Sequence, residues 1–161
     1  MVRPLIFSLL AIAPLSACVG LSRSETLTPM AEAAGYRVDA VSLAIDPGIE
    51  TTPEFSAIFA QRVQAELAGC AHGPRPLRLE ASIDRLDRAN PVQVALIGGA
   101  NVLRGHARLV DPVSGRVVGD YQIGHTVIGA RIAVFEMAEG EEQLSTAFGR
   151  ELCERAFPAA D

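Results

Sequence analysis

The side chains able to do covalent or metal chemistry are few, since the 161-residue chain has three cysteines and three histidines. Cys18 follows an apolar stretch, Pro4–Ala13, whereas Cys70 and Cys153 lie far along the chain. A cysteine thiolate can be alkylated or acylated, bind a metal or form a disulfide, and its surroundings decide which. The position of each cysteine is therefore the first guide to what the chain does.

Catalytic and metal-binding spacings are missing from the sequence. The histidines, His72, His106 and His125, do not form an HExxH motif, and there is no GxSxG elbow. Cys70 and His72 are separated by one residue, and side chains so close in sequence rarely converge on one substrate. We therefore expect a protein that is not an enzyme and that holds no metal and no cofactor.

The N-terminal residues have the pattern of an export signal. Arg3 precedes the apolar Pro4–Ala13, which has the length of a signal-peptide core and is too short for a comfortable transmembrane helix. The run Leu15-Ser16-Ala17-Cys18 resembles a bacterial lipobox, with a branched apolar residue, two small residues and a cysteine. The resemblance implies that residues 1–17 are a signal peptide, that diacylglycerol is attached to Cys18, and that the new N-terminus carries an acyl chain such as palmitate. The alternative is an ordinary secretory signal, which the large residue Leu15 fits poorly.

Lipid anchoring and composition together predict a compartment. Several acyl chains on one residue anchor a protein stably, because each buried methylene contributes about 0.8 kcal/mol. Val19 follows the cysteine where enterobacterial lipoproteins of the inner membrane tend to have Asp, so we expect the outer membrane, with the domain facing the periplasm. A net charge of −5 and an aromatic content of 5% argue against a nucleic-acid partner.

The two remaining cysteines are candidates for a disulfide. The periplasm is oxidising, and Cys70 and Cys153 each lie near the end of a predicted helix. If both helices pack on one face of a sheet, the two sulfurs can meet. The alternative is a pair of buried free thiols.

Apolar spacing predicts a strand and then a helix at the start of the folded domain. Tyr36–Ile45 alternates as a strand, and Asp46–Gly48 ends it as a turn. Thr51–Glu54 has the residues of a helix start, including threonines for a cap and a Pro in the first turn. The helix stripe that follows ends at Gly69.

Later segments complete an α+β prediction for residues 36–158. A half-buried strand over 77–84, a hairpin over 101–125 and a second amphipathic helix follow in order. We expect the order β-α-β-β-β-α, that is, a mostly antiparallel sheet of about four strands with two helices packed on one face. Residues 18–35 are small and polar without periodicity, which predicts a lipidated N-terminus and a flexible tether.

The hairpin contains a candidate interaction face. Asp111–Gly115 has the residues of a tight turn, and opposing Val110 to Arg116 places apolar residues together on one face. In that register the other face carries Arg104, His106 and Arg108 opposite Gln122, Asp120 and Val118. We interpret Arg104, His106, Arg108 and Asp120 as a site for a partner or an anion, with a solvated charge cluster as the plainer alternative.

The same register sets residues 90–100 beside residues 126–136. Both segments are apolar and contain glycine, which predicts an apolar lip that could dock a partner or a membrane surface. Its candidate residues are Val94, Leu96, Ile97, Ile128, Ile132, Val134 and Phe135. The alternative is that both segments fold over the core.

The segment Gly98–Tyr121, with the pattern GGAN…L.G.ARLVDP.SGRVVGDY, resembles a group of small bacterial envelope lipoproteins known as domain-of-unknown-function 4410 and 3313. The resemblance covers residues 36–124 and implies an α+β fold and an envelope location, without catalytic residues. We expect an accessory component of an envelope complex, with a membrane and an envelope protein as partners. The alternative function is binding of a lipid or another small apolar ligand.

Overall fold

The computed structural model describes residues 24–25, 30–87, 99–129 and 137–157 of the chain. Five strands and three helices lie in these ranges. In chain order they are β1 (Ser24–Glu25), α1 (Met30–Ala33), β2 (Tyr36–Ile45), α2 (Phe55–Leu67), β3 (Arg75–Asp87), β4 (Gly99–Val110), β5 (Val117–Gly129) and α3 (Met137–Ala156). The four long strands and the two long helices confirm the predicted α+β class and the order β-α-β-β-β-α.

The strands form one mixed sheet in the spatial order β1-β5-β4-β3-β2. Helix α2 carries the chain from β2 to β3, and these two strands pair in parallel. The β3–β4, β4–β5 and β1–β5 pairs are antiparallel, and the tight turn between β4 and β5 allows only this direction for that pair. The sheet is therefore mostly antiparallel, as the sequence predicts.

The core lies between α2, α3 and one face of the sheet. Helix α2 buries Phe55, Phe59, Val63 and Leu67, which recur every four residues along one side. The ring of Phe59 meets that of Phe148 from α3 edge to face, with centroids 5.1 Å apart. Each such side chain stabilises the fold by about 1.5–3 kcal/mol relative to an exposed one, because its apolar surface leaves water.

A glycine allows the two long helices to approach closely. A Cβ atom at Gly149 of α3 would lie 2.9 Å from the Cβ of Glu66 and 3.1 Å from the Cα of Val63 on α2. Both distances are shorter than ordinary van der Waals contact. A side chain at this position would therefore push the helices apart.

The start of α2 differs from its sequence prediction. The helix begins at Phe55, and Glu54 at its N-cap makes no side-chain capping hydrogen bond. Thr52 bonds instead to Glu141 of α3, a buried carboxylate: Glu141 Oε1 accepts from the Thr52 backbone N–H at 3.1 Å, and Oε2 accepts from its hydroxyl. A tertiary contact thus replaces the expected local cap.

The folded part of the chain begins before Tyr36. Ser24 and Glu25, which the sequence assigns to the tether, pair with Tyr121 and Asp120 of β5. Met30–Ala33 of the same segment is helical, and Ala33 is buried in the core. Residues of the predicted tether are therefore part of the fold.

The hairpin register differs by two residues from the predicted one. Val110 faces Val117 rather than Arg116, and one further residue, Val118, is bulged, so that Leu109 faces Gly119. The displacement is even along most of the hairpin, so most side chains stay on the expected face because strand side chains alternate with a period of two. The predicted pairs are wrong, and so is the predicted face of Val118: we expected it on the polar face, but the bulge places it in the apolar core, where it is 3% exposed.

Candidate functional site on the open face of the sheet

One face of the sheet is covered by no helix among the described residues, and this face carries charged residues from three strands. We call it the open face. Its charged and polar side chains alternate with the buried core residues of the same strands. They are Arg78, Glu80, Ser82 and Asp84 on β3, Arg104, His106 and Arg108 on β4, and Asp120 and Gln122 on β5. The predicted interaction residues thus lie together on one surface.

Asp84 is the centre of the first ion-pair cluster on the open face. Arg104 Nε lies 2.8 Å from Asp84 Oδ1, and His106 Nε2 lies 3.7 Å from Oδ2. The carboxylate is 28% exposed, whereas the arginine and the histidine are nearly half exposed. A β3 carboxylate therefore holds two of the predicted β4 residues.

Glu80 is the centre of the second cluster. Arg78 Nη2 lies 2.6 Å from Glu80 Oε1, and Arg108 Nη1 lies 3.5 Å from Oε2. Glu80 stands directly opposite Arg108 in the β3–β4 register, which explains why the pair forms. Cationic and anionic groups alternate across this part of the face, so the net electrostatic field that they produce is small.

The predicted partner of His106 is wrong. Asp120 faces Arg108 in the observed register, and His106 faces Gln122. The residues that the sequence reasoning missed are Glu80 and Asp84. Their signal was present, since both occupy polar positions of the alternating strand 77–84, but the neighbouring strand had to be known before they could be paired.

The open face has the chemistry of recognition. Its guanidinium groups donate in fixed directions and its carboxylates accept, and all remain reachable from solvent. Exposed pairs of this kind contribute about 0–1 kcal/mol each to stability, so they are free to serve binding. Among the described residues, no group of three His, Cys, Asp or Glu side chains could hold a metal ion.

Cys70 and Cys153 are joined by a disulfide. Their Cα atoms are 5.9 Å apart, within the range that the bond requires. Cys70 follows the end of α2 and Cys153 lies in the last turns of α3, so the bond ties the two helices at one end of the domain. Both cysteines are partly buried against the core.

Two other predicted sites fall mainly outside the described ranges. Cys18 lies outside them, as do all residues of the predicted apolar lip except Ile128. Ile128 belongs to β5, where its backbone pairs with Ala100. The pairing of the two hairpin arms therefore continues as far as Gly99 and Gly129, which are the outermost residues of the two arms that the structure describes.

The turn of the hairpin is held by an aspartate. Asp111 Oδ1 accepts hydrogen bonds from the backbone N–H groups of Val113 and Ser114, at 2.8 and 3.0 Å. The bond to Ser114 and, to a smaller extent, the bond to Val113 lower the pKa of the Asp111 carboxyl, because they favour its charged form. Gly115 completes the turn with a φ of 69°, in the left-handed region.

A groove lies beside the open face where the β2–α2 loop meets the end of β3. Its lining is mostly polar, and comprises Gly48, Ile49, Glu50, Asp84, Arg85, Leu86 and Asp87. It differs in character from the apolar pocket that a lipid-binding function requires. In the part of the chain that the structure describes, no helix is long and apolar enough to span a membrane.

The fold has counterparts among solved structures. Two structures of the PelC dodecamer from Paraburkholderia phytofirmans match with TM-scores of 0.51 and 0.52 and 19% and 16% identity. The matches cover 86% and 87% of this chain and 98% and 100% of PelC. At this identity the likeness shows a shared fold.

Two further structures are similar at lower TM-scores. A Xanthomonas campestris protein of the domain-of-unknown-function 330 family has a TM-score of 0.49 and 16% identity, over 73% of this chain and 80% of its own. A candidate lipoprotein from Caulobacter crescentus has a TM-score of 0.41 and 15% identity, over 77% and 89%. No protein-family model and no curated protein matches the chain, so the resemblance to the 4410 and 3313 group has no support from them.

Proposed function

We propose that this protein is a non-enzymatic lipoprotein of the bacterial envelope, anchored through Cys18 and facing the periplasm, where it is an accessory component of a complex. The observation that carries the proposal is the lipobox-like run Leu15–Cys18 behind a short apolar segment. A disulfide between Cys70 and Cys153 suits an oxidising compartment, which supports export.

The open face supports a role in recognition. Its arginines and carboxylates neutralise one another in pairs, and they stand on rigid strands rather than on loops. The interior of the domain also favours recognition of a partner over the alternative function, binding of an apolar ligand. Among the described residues, Phe59, Leu103 and Phe148 are fully buried in one apolar cluster, and the groove beside the open face is mostly polar.

We further propose that the complex contains several copies of this chain. PelC, whose fold is similar, is a dodecamer. Lipid anchors restrict the symmetry of such an assembly: a cyclic ring places every N-terminus on one side, whereas dihedral symmetry divides the N-termini between two opposite sides. Because all anchors must enter one membrane, we expect cyclic symmetry.

Metabolic labelling with an alkyne fatty acid tests the anchor. Cells expressing the full chain should incorporate label into the protein, and the protein should sediment with outer membranes. The Cys18→Ser variant should lose the label and leave the membrane fraction. Label that persists in this variant, or an unlabelled wild-type chain, would refute anchoring at Cys18.

Native mass spectrometry of the purified acylated protein tests the assembly. We expect a defined oligomer of the chain, with or without a second envelope protein. A monomer that carries only a bound lipid would contradict the proposal and favour the ligand-binding alternative.

A further inference from the structure

The charges of the open face balance one another, although those of the whole chain do not. The charged residues of this face are three arginines and three carboxylates: Arg78, Arg104, Arg108, Glu80, Asp84 and Asp120. Arg85 and Asp87, which follow on β3, form an ion pair with each other and leave the balance unchanged. The chain carries a net charge of −5 with its histidines neutral, so its excess negative charge lies away from the open face.

A neutral surface of alternating charge suits a partner that has the same pattern. Two copies of an acidic chain repel one another through most of their surfaces, and the repulsion is smallest where the net charge of both surfaces is zero. A strongly basic or strongly acidic partner would instead be matched by a surface of the opposite net charge. The charge pattern of the open face therefore favours a second copy of this chain.

The register between β3 and β4 makes the open face complementary to itself. Glu80 stands directly opposite Arg108, and Asp84 lies beside Arg104 further along the same two strands. A twofold axis that runs along the strands, between β3 and β4, exchanges the two strands and keeps every residue at its own height. It therefore brings Arg108 of one copy over Glu80 of the other copy. In the same way it brings Arg104 over Asp84.

The paired groups keep hydrogen-bonding capacity for a second copy. Arg104 contacts Asp84 through Nε at 2.8 Å, and Arg108 Nη1 lies 3.5 Å from Glu80 Oε2. A guanidinium group has five N–H donors, and a carboxylate can accept about four hydrogen bonds. The side chains of Arg104 and Arg108 are 48% and 50% exposed. Each arginine can therefore bind a carboxylate of a second copy while it keeps its partner within the chain.

We infer that two copies of this protein associate through their open faces, related by a twofold axis along the strands. This pairing rests on the self-association proposed above and gives it a surface. A pair is the smallest cyclic assembly, so it has the symmetry expected for anchors that enter one membrane. Its contacts are mostly ionic and lie at the protein surface, so high salt should weaken it.

Charge reversal in two variants tests the pairing. The acidic variant carries Arg104→Glu and Arg108→Glu, which make the open face strongly negative. The basic variant carries Glu80→Arg and Asp84→Arg, which make it strongly positive. In each variant like charges face one another across the twofold axis, whereas an acidic copy and a basic copy are again complementary.

The matched control reverses two arginines on the helices. Arg62 pairs with Glu142 and Arg150 pairs with Glu66, and both arginine side chains are exposed. The control variant, Arg62→Glu with Arg150→Glu, changes the net charge of the chain by the same amount as the acidic variant. It leaves the open face unchanged.

Co-purification of two differently tagged copies measures the pairing, with each full chain tagged at its C-terminus. We expect the acidic variant and the basic variant, each expressed alone, to retain less than a tenth of the wild-type co-purification. Co-expression of the two should restore at least half of it, and this rescue also shows that both variants fold. The control should co-purify as the wild type does.

Two results would overturn the pairing. Co-purification that persists in both open-face variants would place the contact between copies elsewhere. Loss in both variants without rescue by co-expression, in proteins that circular dichroism shows to be folded, would mean that the open face meets a different surface. Either result leaves self-association of the wild type intact, whereas a wild-type chain that does not co-purify with itself refutes the proposed assembly. Metabolic labelling of Cys18 tests the anchor independently of both.

Discussion

Glu141 and Thr52 are 89 residues apart in sequence, and the buried carboxylate of the first accepts two hydrogen bonds from the second. The contact joins the N-terminal part of α3 to the loop that leads into α2. It satisfies a backbone N–H and a hydroxyl that the local sequence leaves without a partner. Loss of this contact should therefore lower the free energy of unfolding.

We expect Glu141→Ala to lower the free energy of unfolding by about 1–3 kcal/mol, because hydrogen bonds to charged groups contribute this much and Thr52 N–H loses its acceptor. Urea unfolding measures the change. Thr52→Val removes the hydroxyl bond alone and should cost less. In a double-mutant cycle the two changes should be non-additive. Additive effects would show that the two residues do not act together.

Reduction of the Cys70–Cys153 disulfide should lower the free energy of unfolding by about 4 kcal/mol, since the bond closes a long loop and restricts the unfolded chain. Urea unfolding with and without a phosphine reductant measures this difference. Cys18→Ser should not alter the result. Thiol titration of the unfolded wild-type chain from residue 18 onward should find one thiol before reduction and three after it; three thiols before reduction would contradict the bond.

Asp84→Asn should change the free energy of unfolding by less than about 1 kcal/mol, because its pairs with Arg104 and His106 are exposed. The matched control is Glu142→Gln, which breaks a similarly exposed pair with Arg62 on the helices. If the open face is the contact surface, only Asp84→Asn should reduce the oligomer seen in native mass spectrometry. An equal effect of both variants, or of neither, would place the contact elsewhere.

The hairpin turn should loosen in acid. The pKa of Asp111 is lowered in the fold by the Ser114 and Val113 N–H groups, so its contribution is present above the ordinary carboxyl value of 3.8 and is lost as pH falls through the lower folded value. NMR amide shifts of Val113 and Ser114 should therefore titrate below pH 3.8. Asp111→Ala should abolish this titration and speed exchange of both amides at neutral pH. A transition above the ordinary value would contradict the assignment.

The periodic parts of this fold could be predicted from local patterns. Alternation located β2, the strand around Leu79 and both arms of the hairpin, and the fourfold spacing of Phe55, Phe59 and Val63 located α2. These predictions succeeded because burial of one face imposes a period on the residues that form it. The open face was predictable for the same reason, as the other half of each alternation.

Pairing could not be predicted from the same patterns. Away from the bulged Val118, a displacement of two residues between β4 and β5 leaves side chains on the same face, so apolar patterning there cannot distinguish the two registers. The bulge at Val118 and the position of the turn produced this displacement. The predicted partner of His106 was therefore wrong, although its face was right.

Local sequence patterns were enough to predict the long strands and helices, their order, most core-facing residues and the lipobox-like position of Cys18, because each of these depends on residues that are neighbours in the chain. The ion pair of Asp84 with Arg104, the hydrogen bonds of Glu141 with Thr52 and the antiparallel pairing of β1 with β5 became known from the folded chain alone. Such contacts join residues far apart in sequence, and their distances follow from how strands and helices pack.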